Sequence, residues 1–412
     1  MNKIKITALF FLLLPLSAFP QNEWLDQVDI YLHTVDRGTM VYDNFGHTAI
    51  RVHNKASGQD LVYNWGIFDF KDPVEFSLKF YRGILIYSLG VYPYENALAY
   101  YQREKRTVWE DKINFSREEK LIFLKRLDWN NLPENREYSY HYFFDNCSTK
   151  VRDYFDEALN GSLKQTFETN ASQRTFRDTV QEGYSTNPEI YFSLDTLMNG
   201  NIDTEMNQWQ EMFLPVKLRE YLLNENSAKR FFSESKILLE FPSQQKSSLN
   251  GFQILSITLL ILLSAIALMS LKGKNGTVRI LWAVMSLPVF LLGIFGLVML
   301  LNWIFSGHSD LHHNANMLLF WPVDLILMWP LMLIVIKGKK LELKERTQKI
   351  WNKYIQLHII VNLLFILMWL FGVFAQNISN TALYMAPLYS IILYMIKISY
   401  SKKEASMGFG IE

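Results

Sequence analysis

The sequence contains very little cysteine and almost no net charge. Its 412 residues include a single cysteine, Cys147, so no disulfide can form within the chain. Acidic and basic residues balance to a formal charge of +1, and this bulk electrostatics does not suggest a nucleic-acid partner. No glycine-rich phosphate-binding motif occurs, so the sequence predicts no nucleotide cofactor. The feature that most needs an explanation is therefore the lone thiol.

The N-terminus has the pattern of a secretory signal peptide. Lys3 and Lys5 precede an apolar run at 6–16, and small and turn-forming residues follow at 17–21. We therefore expect residues 1–20 to be a signal peptide and the domain that follows to be exported. A free thiol in an oxidising compartment needs a reason, and catalysis would supply one.

Hydropathy divides the rest of the chain into two unlike halves. Residues 21–250 form a mixed, aromatic-rich sequence that predicts an exported catalytic domain, 251–400 predict a membrane domain, and 401–412 a cytoplasmic tail. Five apolar segments in the second half each approach the ~20 residues that cross a bilayer. They lie at 254–271, 280–304, 317–336, 354–374 and 382–398. Lys and Arg cluster in alternate connections, so the positive-inside rule places the exported half and the loops 306–316 and 376–381 outside.

The exported half is predicted to have an α+β fold. Alternating apolar and polar residues predict strands at 29–34, 48–52, 61–65 and 107–115. Ser116 and Glu119 have the spacing of a capping box, which predicts a helix over 117–129. Residues 161–250 have helical patterning, most clearly at 213–222.

Cys147 is predicted to lie at the N-terminus of a helix. The apolar residues after it share one helix face: Val151, Tyr154, Phe155, Ala158 and Leu159. Unpaired backbone N–H groups and the positive end of the helix dipole favour a thiolate there, and the same groups can hold a developing oxyanion. A lone cysteine is more often a small buried core residue. A candidate base near the start of a predicted strand, His47, shifts the balance towards catalysis.

A thiol nucleophile needs a base within hydrogen-bond reach, and four histidines lie in the exported half. His47 is favoured over His33, His53 and His141 because it follows Gly46, where a second element can approach the backbone closely. A base on a sheet facing a thiol on a helix is the arrangement of papain-like enzymes. Because the histidine precedes the cysteine, the order predicts a circularly permuted papain-like domain.

Three further residues are predicted to support this pair. Asn64, on the neighbouring strand, could orient the imidazole of His47, and a turn-edge amide is the alternative interpretation. Asp145 and Asn146, beside the thiol, could shape the turn or the oxyanion hole, although both are also ordinary residues at a helix start.

Three segments of the exported half resemble the signature segments of the bacterial Lnb-type lipoprotein N-acyltransferases and their periplasmic domain. They read FGHTAIRV at 45–52, YNWGIFDF at 63–70 and FDNCSTKVRD at 144–153. His47 and Cys147 match the expected base and nucleophile of that family. Their order is also similar to that of the lecithin–retinol acyltransferase branch of permuted papain-like enzymes, which implies acyl transfer through a thioester.

The resemblance implies a reaction and a place for it. The substrate would be a diacylglyceryl-modified lipoprotein whose sn-2 acyl chain moves to the α-amino group of its N-terminal cysteine, leaving a lyso-form lipoprotein. The enzyme would be a multi-pass protein of the bacterial cytoplasmic membrane, in contact with membrane lipid, with its catalytic domain facing the periplasm or exterior. This chemistry needs no metal or nucleotide cofactor.

The predicted outer loop 306–316 concentrates three histidines and an aspartate. Their spacing matches no standard zinc pattern, so we favour lipid-headgroup binding or docking against the exported domain over a metal site. His308, Asn314 and Asn316 are the polar residues of this loop that we expect to contact the substrate.

Two other functional classes remain open on sequence alone. A membrane-anchored cysteine peptidase or peptidoglycan amidase would use the same thiol and imidazole but would need no lipid. A non-catalytic envelope protein would keep Cys147 only as a core residue.

Overall fold

A computed structural model describes residues 23–38, 40–68, 72–223, 231–242, 247–271, 275–326 and 345–401. The predicted signal peptide lies outside the described residues, as do the predicted tail beyond residue 401 and the second part of the third predicted membrane segment.

Nine strands lie in the described part of the exported half. They are β1 (Val28–Val35), β2 (His47–Asn54), β3 (Gln59–Ile67), β4 (Ile86–Pro93), β5 (Val108–Ile113), β6 (Glu137–Ser139), β7 (Ala171–Thr175), β8 (Glu205–Asn207) and β9 (Phe232–Leu239). Seven of them form one antiparallel sheet in the order β6-β4-β3-β2-β1-β5-β9, while β7 and β8 pair separately. The four predicted strands are confirmed as β1, β2, β3 and β5.

Nine α-helices lie in the described part of the exported half. They are α1 (Pro73–Tyr81), α2 (Tyr94–Arg103), α3 (Arg117–Asn131), α4 (Cys147–Ala158), α5 (Ser162–Phe167), α6 (Phe176–Gly183), α7 (Pro188–Leu197), α8 (Gln208–Glu211) and α9 (Pro215–Leu223). The capping box is confirmed at α3, where Ser116 Oγ accepts from Glu119 N and Glu119 Oε2 accepts from Ser116 N. Mixed helix and sheet with a large antiparallel sheet agrees with the predicted α+β class.

The helical patterning of residues 161–250 describes only part of this stretch. This stretch also contributes β7, β8 and the edge strand β9, which pairs with β5. Most positions of β9 are exposed, as is usual for an edge strand that has no second neighbour. Its sequence, FSESKILL, carries too little apolar alternation to be recognised without the partner strand.

Two cores pack on opposite faces of the sheet. On one face, Ile50 and Trp65 pack with Phe123 of α3 and Phe155 of α4. The other face carries a smaller cluster in which α2 covers the sheet: Val35, Ala49, Val62, Ala97, Tyr101 and Val108. The sheet is therefore covered on both faces, and the start of β2 meets the start of α4 at one end.

All the longer elements in the described part of the second half are helices. They are α10 (Gly251–Leu271), α11 (Asn275–Phe305), α12 (Glu345–Leu370) and α13 (Ala386–Ser401), the last preceded by a π-helical turn at Thr381–Met385. Four of the predicted membrane segments coincide with these helices. Within the described residues, two stretches are long and apolar enough to cross a bilayer, Leu287–Phe305 and Lys349–Leu370, and two shorter apolar ones accompany them.

A polar cluster joins three elements of the membrane half. Asp324 is fully buried and accepts hydrogen bonds from Tyr354 of α12 (2.8 Å) and Tyr389 of α13. A buried ionisable group in such a domain requires hydrogen-bond partners, and the two hydroxyls supply them.

The two halves are joined by close backbone contacts. Asn199 N donates to Asp310 O (2.7 Å), and Gly307 N donates to Tyr81 O (3.2 Å). A Cβ on Gly307 would lie 2.0 Å from Arg82 O, so only glycine allows this approach. Tyr142 of the exported half also donates its hydroxyl to the carboxylate of Asp310 (2.7 Å). The loop 306–316 therefore docks on the exported domain, one of the two roles that the sequence favours.

Candidate active site

Asn146 fixes the turn that presents Cys147. It is the N-cap of α4, and its Oδ1 accepts from the backbone N–H groups of Ser148 and Thr149, both at 2.9 Å. Its Nδ2 donates to Tyr142 O (2.9 Å) and Phe213 O (3.1 Å). Both the oxygen and the nitrogen of this amide therefore form hydrogen bonds that stabilise the turn. The amide also occupies two helix N–H groups that the sequence offered for an oxyanion.

His47 and Asn64 form a hydrogen-bonded pair on adjacent strands. His47 opens β2, Asn64 lies opposite Ala49 on β3, and His47 Nε2 is 2.6 Å from Asn64 Oδ1. Because this oxygen only accepts, Nε2 carries the proton and Nδ1 keeps a free lone pair. Gly46 has a φ of +82°, and a Cβ there would lie 2.6 Å from Val35 O, so this turn requires glycine.

One cavity of about 520 Å³ brings the predicted site residues together. His47, Asn64, Asn146 and Cys147 all line it. Much of its wall is aromatic, including Tyr42, Phe68, Tyr87, Tyr92, Tyr100 and Tyr140. The volume is within the usual range for a small-molecule pocket. The cavity is therefore largely apolar and contains a thiol, an imidazole and an amide.

Burial sets the protonation of the thiol and the imidazole. It raises the pKa of Cys147 to about 11, although the backbone N–H groups of Thr48 and Ser148 and the charge of Arg106 oppose it. Burial and then Arg106 lower the pKa of His47 to about 4, whereas the hydrogen bond that Nε2 donates to Asn64 opposes this shift. At neutral pH the resting cavity therefore holds a neutral thiol and a neutral base. The N–H groups at the helix N-terminus favour the thiolate, as predicted, but desolvation outweighs them and the net shift of the pKa is upward.

The other three histidines of the exported half lie outside the described lining of the cavity. His33 is buried and its Nε2 lies 2.8 Å from Glu110, a carboxylate that also binds Arg51. His141 Nδ1 accepts from Phe143 N (3.2 Å), and His53 lies half-buried near the far end of β2. The geometry therefore separates His47 from its competitors.

Asp145 helps to shape the turn before α4, one of its two predicted roles, but it does not line the described cavity. Its carboxylate forms an ion pair with Lys150 (2.9 Å), and the residue lies outside the described cavity lining. Its backbone bridges to His141, which steadies the turn before α4. A charged side chain of this kind stays at the surface because burial beside the thiol would cost its solvation.

The expected substrate contacts of the loop 306–316 are also corrected. Asn314 and Asn316 are buried, and both donate to Thr196 O, at 2.9 and 2.8 Å. Thr196 lies in the last turn of α7, whose carbonyls lack helical partners, so the two amides cap that helix end. His308 is buried too, with its ring centroid 5.8 Å from that of Tyr142, a cavity residue. The loop thus supports the cavity wall from behind.

No group of three metal-ligating side chains comes together anywhere in the described chain. In the histidine-rich loop, His312 Nε2 instead donates to Ser306 O (2.8 Å).

Arg106 and Tyr101 are among the polar residues of the cavity that sequence reasoning missed. Arg106 precedes β5, and Tyr101 lies in α2, a helix that was not predicted. The available signal was a charged residue directly before a buried strand, which is too common to indicate a site.

Two family models match the chain. The Lnb N-terminal periplasmic domain matches residues 21–182, which include His47, Asn64 and Cys147, and the Lnb transmembrane domain matches residues 244–404. No curated protein and no solved structure matches it, so the permuted papain-like relationship stays a prediction. The two domains occur in the family's order and together cover most of the sequence. The chain therefore belongs to the Lnb-type family and is a membrane protein with a periplasmic portion.

Proposed function

We propose that this protein is a cysteine-dependent acyltransferase that matures bacterial lipoproteins. Family membership points to a membrane enzyme that modifies lipoproteins. The observation that carries the finer proposal is the shared cavity, in which the single thiol lies with an imidazole whose Nε2 is tied to Asn64. Nucleophilic acyl transfer requires a base that is held in one tautomer and can reach the thiol, and a shared cavity allows this.

The first half-reaction acylates the enzyme. Nδ1 of His47 takes the proton of Cys147 as Sγ attacks the carbonyl carbon of the sn-2 ester of a diacylglyceryl-modified lipoprotein. A C–S bond forms, the ester C–O bond breaks, and the glycerol oxygen leaves with the proton from His47. The products are a thioester and a lyso-glyceryl lipoprotein.

The second half-reaction returns the thiol. The α-amino group of the lipidated N-terminal cysteine attacks the thioester while His47 accepts a proton. A C–N bond forms, the C–S bond breaks, and Cys147 regains its proton. The net change moves one acyl chain within the lipoprotein and consumes no cofactor.

The aromatic cavity and the attached helices suit such a substrate. Moving an acyl chain into water costs ~0.8 kcal/mol per CH₂, so the reacting ester must be reached while the chain stays buried. We place the protein in the bacterial cytoplasmic membrane as a multi-pass protein, with its partners, lipid and diacylglyceryl-modified lipoproteins, on the periplasmic side. A peptidase or peptidoglycan amidase would take a more polar ligand than this wall favours.

The test is mass spectrometry of lipoprotein N-termini from cells with the wild-type protein, without it, or with single substitutions. Cys147→Ala and His47→Ala should abolish N-acylation, whereas His53→Ala, outside the described cavity lining, should leave it unchanged. Unchanged N-termini in cells lacking the protein would refute the function. An N-acyl chain on a lipoprotein that keeps both glyceryl chains would show that the acyl group comes from a second lipid.

A further inference from the structure

Two buried hydrogen-bond donors of the cavity lack acceptors among the described residues. They are Nη2 of Arg106 and the hydroxyl of Tyr101. Arg106 is 3% exposed and Tyr101 2%, and both line the cavity that contains Cys147 and His47. Unpaired buried donors are rare in folded proteins because their solvation is lost without replacement. A ligand oxygen in this cavity would complete both.

The guanidinium of Arg106 is held rigidly by its other nitrogens. Nε donates to Asp36 O (2.9 Å) and Nη1 to Asp43 Oδ1 (2.9 Å), while the backbone N–H donates to Tyr101 O (3.0 Å). Only Nη2 is left over. A rigid donor needs no reorganisation when negative charge appears nearby, which is the condition for electrostatic catalysis.

The surroundings favour an oxyanion over other acceptors. Arg106 lies close enough to the reacting pair for its charge to lower the pKa of both His47 and Cys147. Two helix donors, the N–H groups of Ser148 and Thr149, are already bound by Asn146. The backbone N–H of Cys147 lies next to the thiol, and further donors to the oxygen of an attacked carbonyl have to come from elsewhere in the cavity.

We propose that Nη2 of Arg106 and the hydroxyl of Tyr101 donate hydrogen bonds to the acyl carbonyl oxygen as Cys147 attacks it. This inference rests on the proposed acyl transfer and adds its oxyanion hole. The electron pair of the carbonyl moves to oxygen when the C–S bond forms and returns when the ester C–O bond breaks. Neither donor gives up its proton at any stage.

Tyr101→Phe is the sharpest variant because it removes one hydroxyl and nothing else. Loss of one oxyanion donor typically lowers the rate about 10²–10³-fold. Removal of an unpaired buried hydroxyl should not lower the melting temperature, so a fall in activity cannot be ascribed to unfolding. Tyr138→Phe is the matched control: its hydroxyl is likewise buried and unpartnered, yet it lies outside the described cavity lining. Arg106→Lys keeps the charge and removes the fork of donors.

The experiment compares two reactions of Cys147 in the full-length protein in detergent. Thioester formation with a p-nitrophenyl fatty-acid ester passes through an oxyanion, whereas alkylation by iodoacetamide does not. We expect Tyr101→Phe and Arg106→Lys to slow thioester formation at least thirtyfold and Tyr138→Phe to leave it unchanged. The rate at which iodoacetamide alkylates Cys147 in the Tyr101→Phe variant should stay within about threefold of the wild-type rate across pH 7–10.

Two outcomes overturn the inference while the proposed function stands. One is thioester formation by Tyr101→Phe at a rate close to wild type. The other is an equal fall in acylation and alkylation, which would mean that Tyr101 acts on the thiol itself. Failure of the wild-type protein to form any thioester would overturn both the inference and the proposed function.

Discussion

The half-buried thiol of Cys147 leads to a prediction that differs from the usual behaviour of cysteine nucleophiles. Many catalytic cysteines alkylate quickly near neutral pH because their pKa is depressed. Cys147 lies in a cavity whose desolvation raises its pKa, and the resting protein should therefore alkylate slowly. Activation would then depend on the proton acceptor His47 and on the bound substrate.

The size of the effect follows from the two protonation states. A thiol pKa of about 11 in place of 9.0 lowers the thiolate fraction about a hundredfold, to roughly one in 10⁴ at pH 7. The labelling rate should rise tenfold per pH unit and level off only near pH 11. The folded state also holds the thiol proton more tightly than the unfolded chain. This contribution to stability is complete below about pH 9 and is lost as the pH rises towards 11.

The assay is simple because the chain has one cysteine. Every carboxamidomethyl group added by iodoacetamide reports on Cys147 alone, and the mass of the intact protein gives the rate. The same protein unfolded in denaturant supplies the reference rate at each pH.

Labelling of the folded protein at pH 7 as fast as, or faster than, the unfolded chain would refute the reasoning. It would mean that the helix N-terminus and Arg106 outweigh burial. Complete resistance up to pH 11 would instead identify Cys147 as a sealed core residue and would count against the cavity as a reaction site.

Three further predictions concern the site and the membrane half. Asn64→Ala should lower the rate of lipoprotein N-acylation about tenfold to a hundredfold, because the imidazole loses the acceptor that fixes its tautomer, and Asn64→Asp should restore part of it. Residues 21–250 on an unrelated single-span anchor should fail to acylate lipoproteins in cells; near-normal activity would show that the membrane half is only an anchor. Tyr389→Phe should lower the melting temperature in detergent by depriving Asp324 of a donor, and the exposed Tyr394→Phe should not.

Local patterns predicted much of the sheet and the central group of site residues. The strand that begins at His47, its neighbour with Asn64 and the helix that begins at Cys147 each carry a signal within about ten residues of sequence. Alternation, helix periodicity and cap residues act over that range, so they can be recognised in one chain. The structure brings these three residues to one cavity.

Features that depend on contacts between residues distant in the sequence could not be predicted. Arg106 and Tyr101 join the cavity only because α2 folds across the sheet, and Asn314 and Asn316 are removed from it because they cap a helix more than a hundred residues earlier. The raised pKa of Cys147 belongs to the same class. Helix position is visible in a sequence, whereas desolvation depends on every element that surrounds the thiol.

The contact between the loop 306–316 and the exported domain has a consequence for how a substrate would reach the cavity. Main-chain atoms of Gly307 and Asp310 form hydrogen bonds with main-chain atoms of the exported domain, so the two parts are in direct contact. We expect this contact to keep Cys147 at a nearly constant distance from the ends of the membrane helices. If the proposed function is right, the lipidated terminus would then have to move to the cavity. We expect the length and flexibility of a lipoprotein's first residues to determine whether its N-terminus can reach Cys147 and be acylated.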